Sequence, residues 1–212
     1  LALAGETIPS MMPGWSTNGM DAPRAVGRTL QSLAQVYQLT GREDLRIRMK
    51  ARMHEVISQQ WGGQLEKPLR PLGWVMDPRQ LVINGQPVDC VMPWQESIGV
   101  MGLYAAWRVT GDEAFKDMAA HVAEAVVRFG FIHDGSMWRC VAAYAWNDGF
   151  GPARFEPESP EVMFYQPYLM WTLPAVIIAD ALGVGGNKAE LLLRDLSKPT
   201  DLRQAQWWAL IP

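Results

Sequence analysis

The stretch MPWQESIGVMGLYAAWRVTGDEAF, residues 92–115, decides the fold. From Ile98 to Val109 nearly every position is apolar, on every side of any helix drawn through it. A surface helix gathers its apolar residues into one stripe, whereas a helix apolar all round must be buried. Yet the segment opens on the polar, aromatic cluster Trp94, Gln95 and Glu96. It closes at Thr110-Gly111, where glycine suits the left-handed conformation that ends a helix. Asp112 and Glu113 then suit the positive start of the next helix. The pattern predicts a buried helix over Gln95–Val109, followed by an amphipathic one. The second has Phe115, Met118, Ala119, Val122, Val126 and Phe129 on one face and Asp117, His121, Glu124 and Arg128 on the other.

Working outward, the same device appears on both sides. Upstream, Val26, Leu30, Leu33, Ala34 and Tyr37 form a helical stripe that stops at Thr40-Gly41. Leu45, Met49, Met53 and Val56 form the next, flanked by Arg46, Arg48, Lys50 and Arg52. Downstream, YLMWTLPAVIIADALG is an apolar helix ending near Gly183, with Pro174 as a kink or a late start. Asn187 and Glu190 have the spacing of a capping box for the helix after it. A buried helix thus alternates with an amphipathic one three times. This predicts an all-α chain: a partial (α/α) toroid of about three helical hairpins, with an ordinary helical bundle as the alternative.

The connections that follow the amphipathic helices also repeat. QLVINGQPVDCV and FGFIHDGSMWRCVAAYAW both read as β-hairpins, turning at Asn84-Gly85 and Asp134-Gly135. Cys90 and Cys140 each lie five residues after the turn glycine. They read as two small buried residues, or as a disulfide between neighbouring hairpins.

The 212 residues suffice for one large domain over 1–212, and with half of them hydrophobic a substantial core is possible. A net charge of −3 without a basic stripe argues against nucleic acid as a partner. No apolar run reaches the roughly 18 residues needed to span a membrane. The His, Cys and carboxylate spacings fit no metal site, and phosphate-loop and dinucleotide fingerprints are missing, so no cofactor is expected. LALAGET resembles the tail of a signal peptide, and a start at Leu1 reads as a fragment, a processed form or an incomplete gene. Cytoplasmic and periplasmic or secreted locations both stay open.

Connectivity places a site. If the short Thr-Gly turns join the helices on one face, the long connections lie on the other, where each buried helix begins. Arg24 and Trp94 occupy equivalent positions, each sixteen residues before the Thr of its turn. Trp15, Asn18 and Asp21 precede the first buried helix, Gln95 and Glu96 open the second, and Glu161, Tyr165, Gln166, Tyr168 and Trp171 lead into the third. The exit of the second hairpin adds Tyr144, Trp146, Asn147, Asp148 and Arg154. Aromatic, carboxylate, amide and Arg side chains converging on one face suit a saccharide: ring faces stack on aromatics and hydroxyls pair with amides and carboxylates. The inner-helix N-termini and Arg24 suit an acidic one.

Helix–TG–helix units with aromatic-rich loops before each buried helix resemble the six-hairpin (α/α) toroid enzymes: hydrolases of unsaturated uronides, polysaccharide lyases and sugar epimerases. The resemblance implies a carbohydrate-active enzyme, a glycoside hydrolase or a polysaccharide lyase, acting on an acidic saccharide. It implies rim carboxylates at Asp21, Glu96 or Asp148 as acid and base, and Tyr144, Tyr165 or His133 as a lyase base. Trp94, Gln95, Arg24, Trp146, Tyr144, Asn147, Tyr165 and Gln166 would bind the substrate. Three hairpins make half of such a ring. A missing N-terminal half or a homo-oligomer would complete it; otherwise the chain is a non-catalytic α/α binding or assembly domain. Each residue also has a structural explanation. Glu96 stands in a first helical turn, Asp21 precedes Pro23, and Asp148 lies in the turn-like WNDGFG. Trp107 reads as core.

Overall fold

The computed structural model of the chain describes residues 22–60, 75–76, 82–87, 89–145 and 155–196. Three helical hairpins carry it: α1 (Ala22–Thr40) with α2 (Glu43–Gln60), α3 (Pro93–Thr110) with α4 (Glu113–Phe129), and α5 (Leu169–Ala181) with α6 (Gly186–Leu196). No helix of the described residues is long and apolar enough to cross a membrane.

The first two turns are built alike. Gly41 and Gly111 take φ values of 63° and 67°, the left-handed region that a side chain disfavours. Their N–H groups donate to Tyr37 O and Trp107 O, both at 2.8 Å. Thr40 and Thr110 turn their hydroxyls back onto Val36 O and Ala106 O, both at 2.7 Å. The same hydroxyls accept from the N–H of Arg42 and Asp112 at 3.4 and 3.2 Å. The third turn has no Thr. It closes with Gly183 N–H on Asp180 O and Val184 N–H on Ala179 O, the paired bonds of a Schellman motif. Helix α6 begins at Gly186, so Asn187 lies inside its first turn and not at a capping box.

Helix α3 is the hub, packed against α1, α4 and α5. Two glycines allow its approach to α1: a Cβ on Gly102 would sit 2.4 Å from Gly27 O, and one on Gly27 2.1 Å from Ile98 O. The two helices therefore touch backbone to backbone. On its other side, the fully buried Ser97 hydroxyl accepts from Ala175 N–H of α5 at 3.0 Å, directly after the helix-interior Pro174. Leu30, Leu33, Leu45, Met49, Leu103, Phe115, Met118, Val122, Val176 and Leu192 fill one continuous core between the hairpins. Trp107 is only partly buried; its Nε1–H reaches Glu113 Oε1 at 3.2 Å across the turn.

The all-α expectation is corrected by a small antiparallel sheet beside the helices. Its spine is β6 (Trp138–Ala145), which pairs with β5 (Phe131–His133), with β4 (Asp89–Val91) and with β7 (Val162–Phe164), while β1 (Val75–Met76) extends it beyond β4. Both predicted hairpins turn where expected. Asn84 and Gly85 have positive φ between β2 (Val82–Ile83) and β3 (Gln86–Pro87), as a tight hairpin turn demands. The connection from β5 to β6 runs over 134–137, fixed by Asp134 Oδ1, which accepts from Ser136 N, Met137 N and Ser136 Oγ. The first hairpin's return segment divides, however: Gln86–Pro87 pairs back, but Asp89–Val91 joins the larger sheet. A register shift between Val141 and Ala143 puts Val141 and Tyr144 in one apolar cluster and Ala143 and Ala145 in another.

Cys90 and Cys140 are buried thiols and not a disulfide. Cys90 pairs with Ala145, five residues along β6 from Cys140, a separation of roughly 17 Å at strand rise. Burial pushes the Cys140 thiol up to about 12, against a weaker pull from the Thr172 hydroxyl 3.6 Å away.

Candidate functional site

The site begins where α3 begins. Pro93 at the first helical position fixes φ where its missing N–H costs nothing. Met92, extended at the N-cap, offers its carbonyl to Gln95 N–H at 2.9 Å and Glu96 N–H at 3.1 Å, in place of a side-chain cap. This turn aims Trp94 at the start of α5. Its indole stacks on Tyr168 with centroids 4.9 Å apart and planes 28° from parallel. Arg24, in the first turn of α1, holds its guanidinium over the same indole at 5.7 Å. Tyr165 meets Tyr168 edge-on at 4.7 Å. One turn further along both helices, Arg28 lies over Trp171 at 6.0 Å. The starts of α1, α3 and α5 are thereby joined by two arginines and four aromatic rings. Tyr165 and Trp171 remain 50% and 42% exposed, so they are the open ring faces. With a ring stacked on it and a cation over it, Trp94 supports this platform more than it presents a free face.

The remaining expected site residues divide. The Gln166 amide extends the sheet: its Oε1 accepts from Cys140 N at 3.0 Å and its Nε2 donates to Trp138 O at 3.4 Å. Gln95 is buried, with Nε2 on Met92 Sδ at 3.2 Å. Glu96 is only 2% exposed and faces into the protein, near Tyr144. Tyr144 is equally buried and packs against Phe129 at 5.2 Å and Phe155 at 6.4 Å, away from the Trp94 cluster. Desolvation pushes its phenol well above the ordinary range, and the Glu96 charge adds to this. A phenol so held stays protonated and is unsuited to act as a base. His133 is exposed at the hairpin tip, where its Nδ1 accepts from Gly135 N–H at 3.1 Å and its ring meets Trp138 edge-on. Asp21, Trp146, Asn147 and Asp148 lie outside the described residues.

Arg28 was not legible as a site residue on its own. Its signal was its position, one turn after Arg24 on the same face of α1. Among the described residues, no three or more His, Cys, Asp or Glu side chains group as a metal site would require.

Comparison of the chain with protein-family models, with curated proteins and with solved structures returns no match.

Proposed function

We propose that the three hairpins are a segment of an (α/α) toroid whose loop face binds an acidic saccharide, and that the protein is a carbohydrate-active enzyme, a hydrolase or a lyase. The observation that carries the reading is the convergence of Arg24, Arg28, Trp94, Tyr165, Tyr168 and Trp171 at the starts of three neighbouring helices. Exposed rings offer flat apolar faces to a pyranose, and the guanidinium is the side chain best shaped to fork onto a carboxylate. Acid–base roles would fall to Asp21 and Asp148, with Glu96 as the buried member at the start of α3.

The second reading is a binding module without catalysis. The burial of Glu96 and Tyr144 favours it, because neither reaches solvent from the described face. One experiment separates the two. Tryptophan fluorescence is titrated with acidic and neutral oligosaccharides, and the same mixtures are followed for unsaturated or hydrolysed products. Saturable binding of acidic chains with turnover supports the enzyme; binding without turnover supports the module; no binding of any acidic saccharide rejects both. Tyr165→Ala should weaken binding about 2- to 12-fold, from the roughly 0.5–1.5 kcal/mol that a stacked ring contributes beyond burial.

A further inference from the structure

Lys188, in the first turn of α6, reaches back to the end of the second hairpin. Its Nζ donates to Arg128 O of α4 at 2.7 Å and to Phe131 O of β5 at 2.8 Å. Trp138 and Phe155 flank it, their ring centroids 5.8 and 5.9 Å from Nζ. The other lysines among the described residues are ion-paired, Lys50 with Asp112 at 2.6 Å and Lys116 with Glu113 at 2.9 Å. Lys188 has no carboxylate partner among the described residues. Asp195, two turns along α6, turns instead to Trp138 Nε1 at 3.2 Å and Arg194 Nε at 3.0 Å. The charge that acts on Lys188 is a like one, the exposed Arg128, whose guanidinium lies over Phe129 at 5.2 Å. Desolvation first, and Arg128 second, bring the ammonium down to about 8. Burial beside rings and a neighbouring cation are the two arrangements that turn a lysine into a nucleophile. The carbonyl bonds suit the neutral form too: an amine has two N–H groups, and with both given to carbonyls its lone pair points away from them.

We propose that Lys188 is a nucleophilic amine and that, with Arg128, it forms a site for a small carbonyl compound bearing a carboxylate. The carboxylate forks onto the Arg128 guanidinium and the carbonyl carbon comes to Nζ. The amine lone pair attacks that carbon, and the C=O pair goes to oxygen. The two amine protons leave with the oxygen as water, and a C=N bond remains. None of these residues belongs to the ring platform, so the site stands apart from the saccharide reading.

The test incubates the full chain with glyoxylate, and separately with neutral propionaldehyde, in cyanoborohydride, which reduces each imine to a stable secondary amine. Labelled lysines are located by peptide mass spectrometry. Lys188 should be labelled at least about tenfold faster than Lys50 or Lys116 at neutral pH, because a desolvated amine without a carboxylate partner is neutral in a larger fraction of molecules. Its rate should level off above pH about 8 and not climb on through the ordinary lysine range. Relative to Lys116, Lys188 should favour glyoxylate over propionaldehyde. Arg128→Gln should remove that preference, and Arg128→Lys, which keeps the charge but not the fork, should lose part of it; thermal unfolding of both variants shows that the loss is not a folding defect. Lys188 labelled no faster than the ion-paired lysines, as a plain cap on the end of α4 would be, overturns the nucleophile. Equal relative labelling by the two aldehydes, or a glyoxylate preference that survives both substitutions, overturns the carboxylate site.

Discussion

A methyl group on Gly102 would fall 2.4 Å from Gly27 O, 2.6 Å from Gly27 Cα and 2.8 Å from Gly27 C, with no flexible side chain able to move aside. Helices α1 and α3 must then separate, and the rings and cations mounted at their starts separate with them. Gly102→Ala should cost about 2–3 kcal/mol in urea unfolding, the upper part of the range for overpacking a core, despite alanine's better helix propensity. A variant as stable as the parent would show that the two helices do not cross in contact. At this scale the sequence was legible only in part. Trp94 and Arg24 announced themselves by equivalent spacing before the two Thr-Gly turns. The burial of Glu96 and Tyr144 did not, because polarity at a helix start looks the same whether the next layer is solvent or a sheet.

The Thr-Gly turn is the element that the sequence expressed most clearly, since its chemistry is local: a left-handed glycine, a back-bonded Thr and an acidic restart. At the second turn Asp112 joins two hairpins. Its Oδ1 accepts from Ala114 N–H at 3.2 Å as the cap of α4, and its Oδ2 meets Lys50 Nζ of α2 at 2.6 Å. The Lys50 ammonium, with the Ala114 N–H and despite partial desolvation, holds the carboxyl below its ordinary range. Because the folded-state value is depressed, the stabilisation is present above the unfolded value and is lost as pH falls through the folded one. Asp112→Ala should therefore destabilise the protein by about 0.5–2 kcal/mol at neutral pH. That difference should shrink as the medium is acidified below the ordinary carboxylate range, read from urea midpoints of both proteins across pH. A gap independent of pH would contradict the ionised cap. The sheet was far less legible. Both turns were readable from Asn84-Gly85 and Asp134-Gly135, but β6 gathers strands from distant parts of the chain, and its bulge at Val141–Ala143 breaks the alternation that would have marked its faces. Gln166, with its amide on the β6 backbone, looked like a rim ligand for the same reason: its partner lies 26 residues away.

For the whole molecule, three hairpins bring the starts of α1, α3 and α5 to one face. The ligand proposed for the platform of Arg24, Arg28, Trp94, Tyr165, Tyr168 and Trp171 is an acidic saccharide. The most direct measurement follows the indole N–H resonances of the ten tryptophans by nitrogen-edited NMR, assigned by single Trp→Phe variants, as trigalacturonate is added to the full chain. The Trp171 and Trp94 resonances should move progressively and saturably, while that of Trp107, at the opposite end of α3, stays in place and maltotriose moves none of them. Saturable shifts confined to other tryptophans, or no shift with trigalacturonate at all, would contradict it.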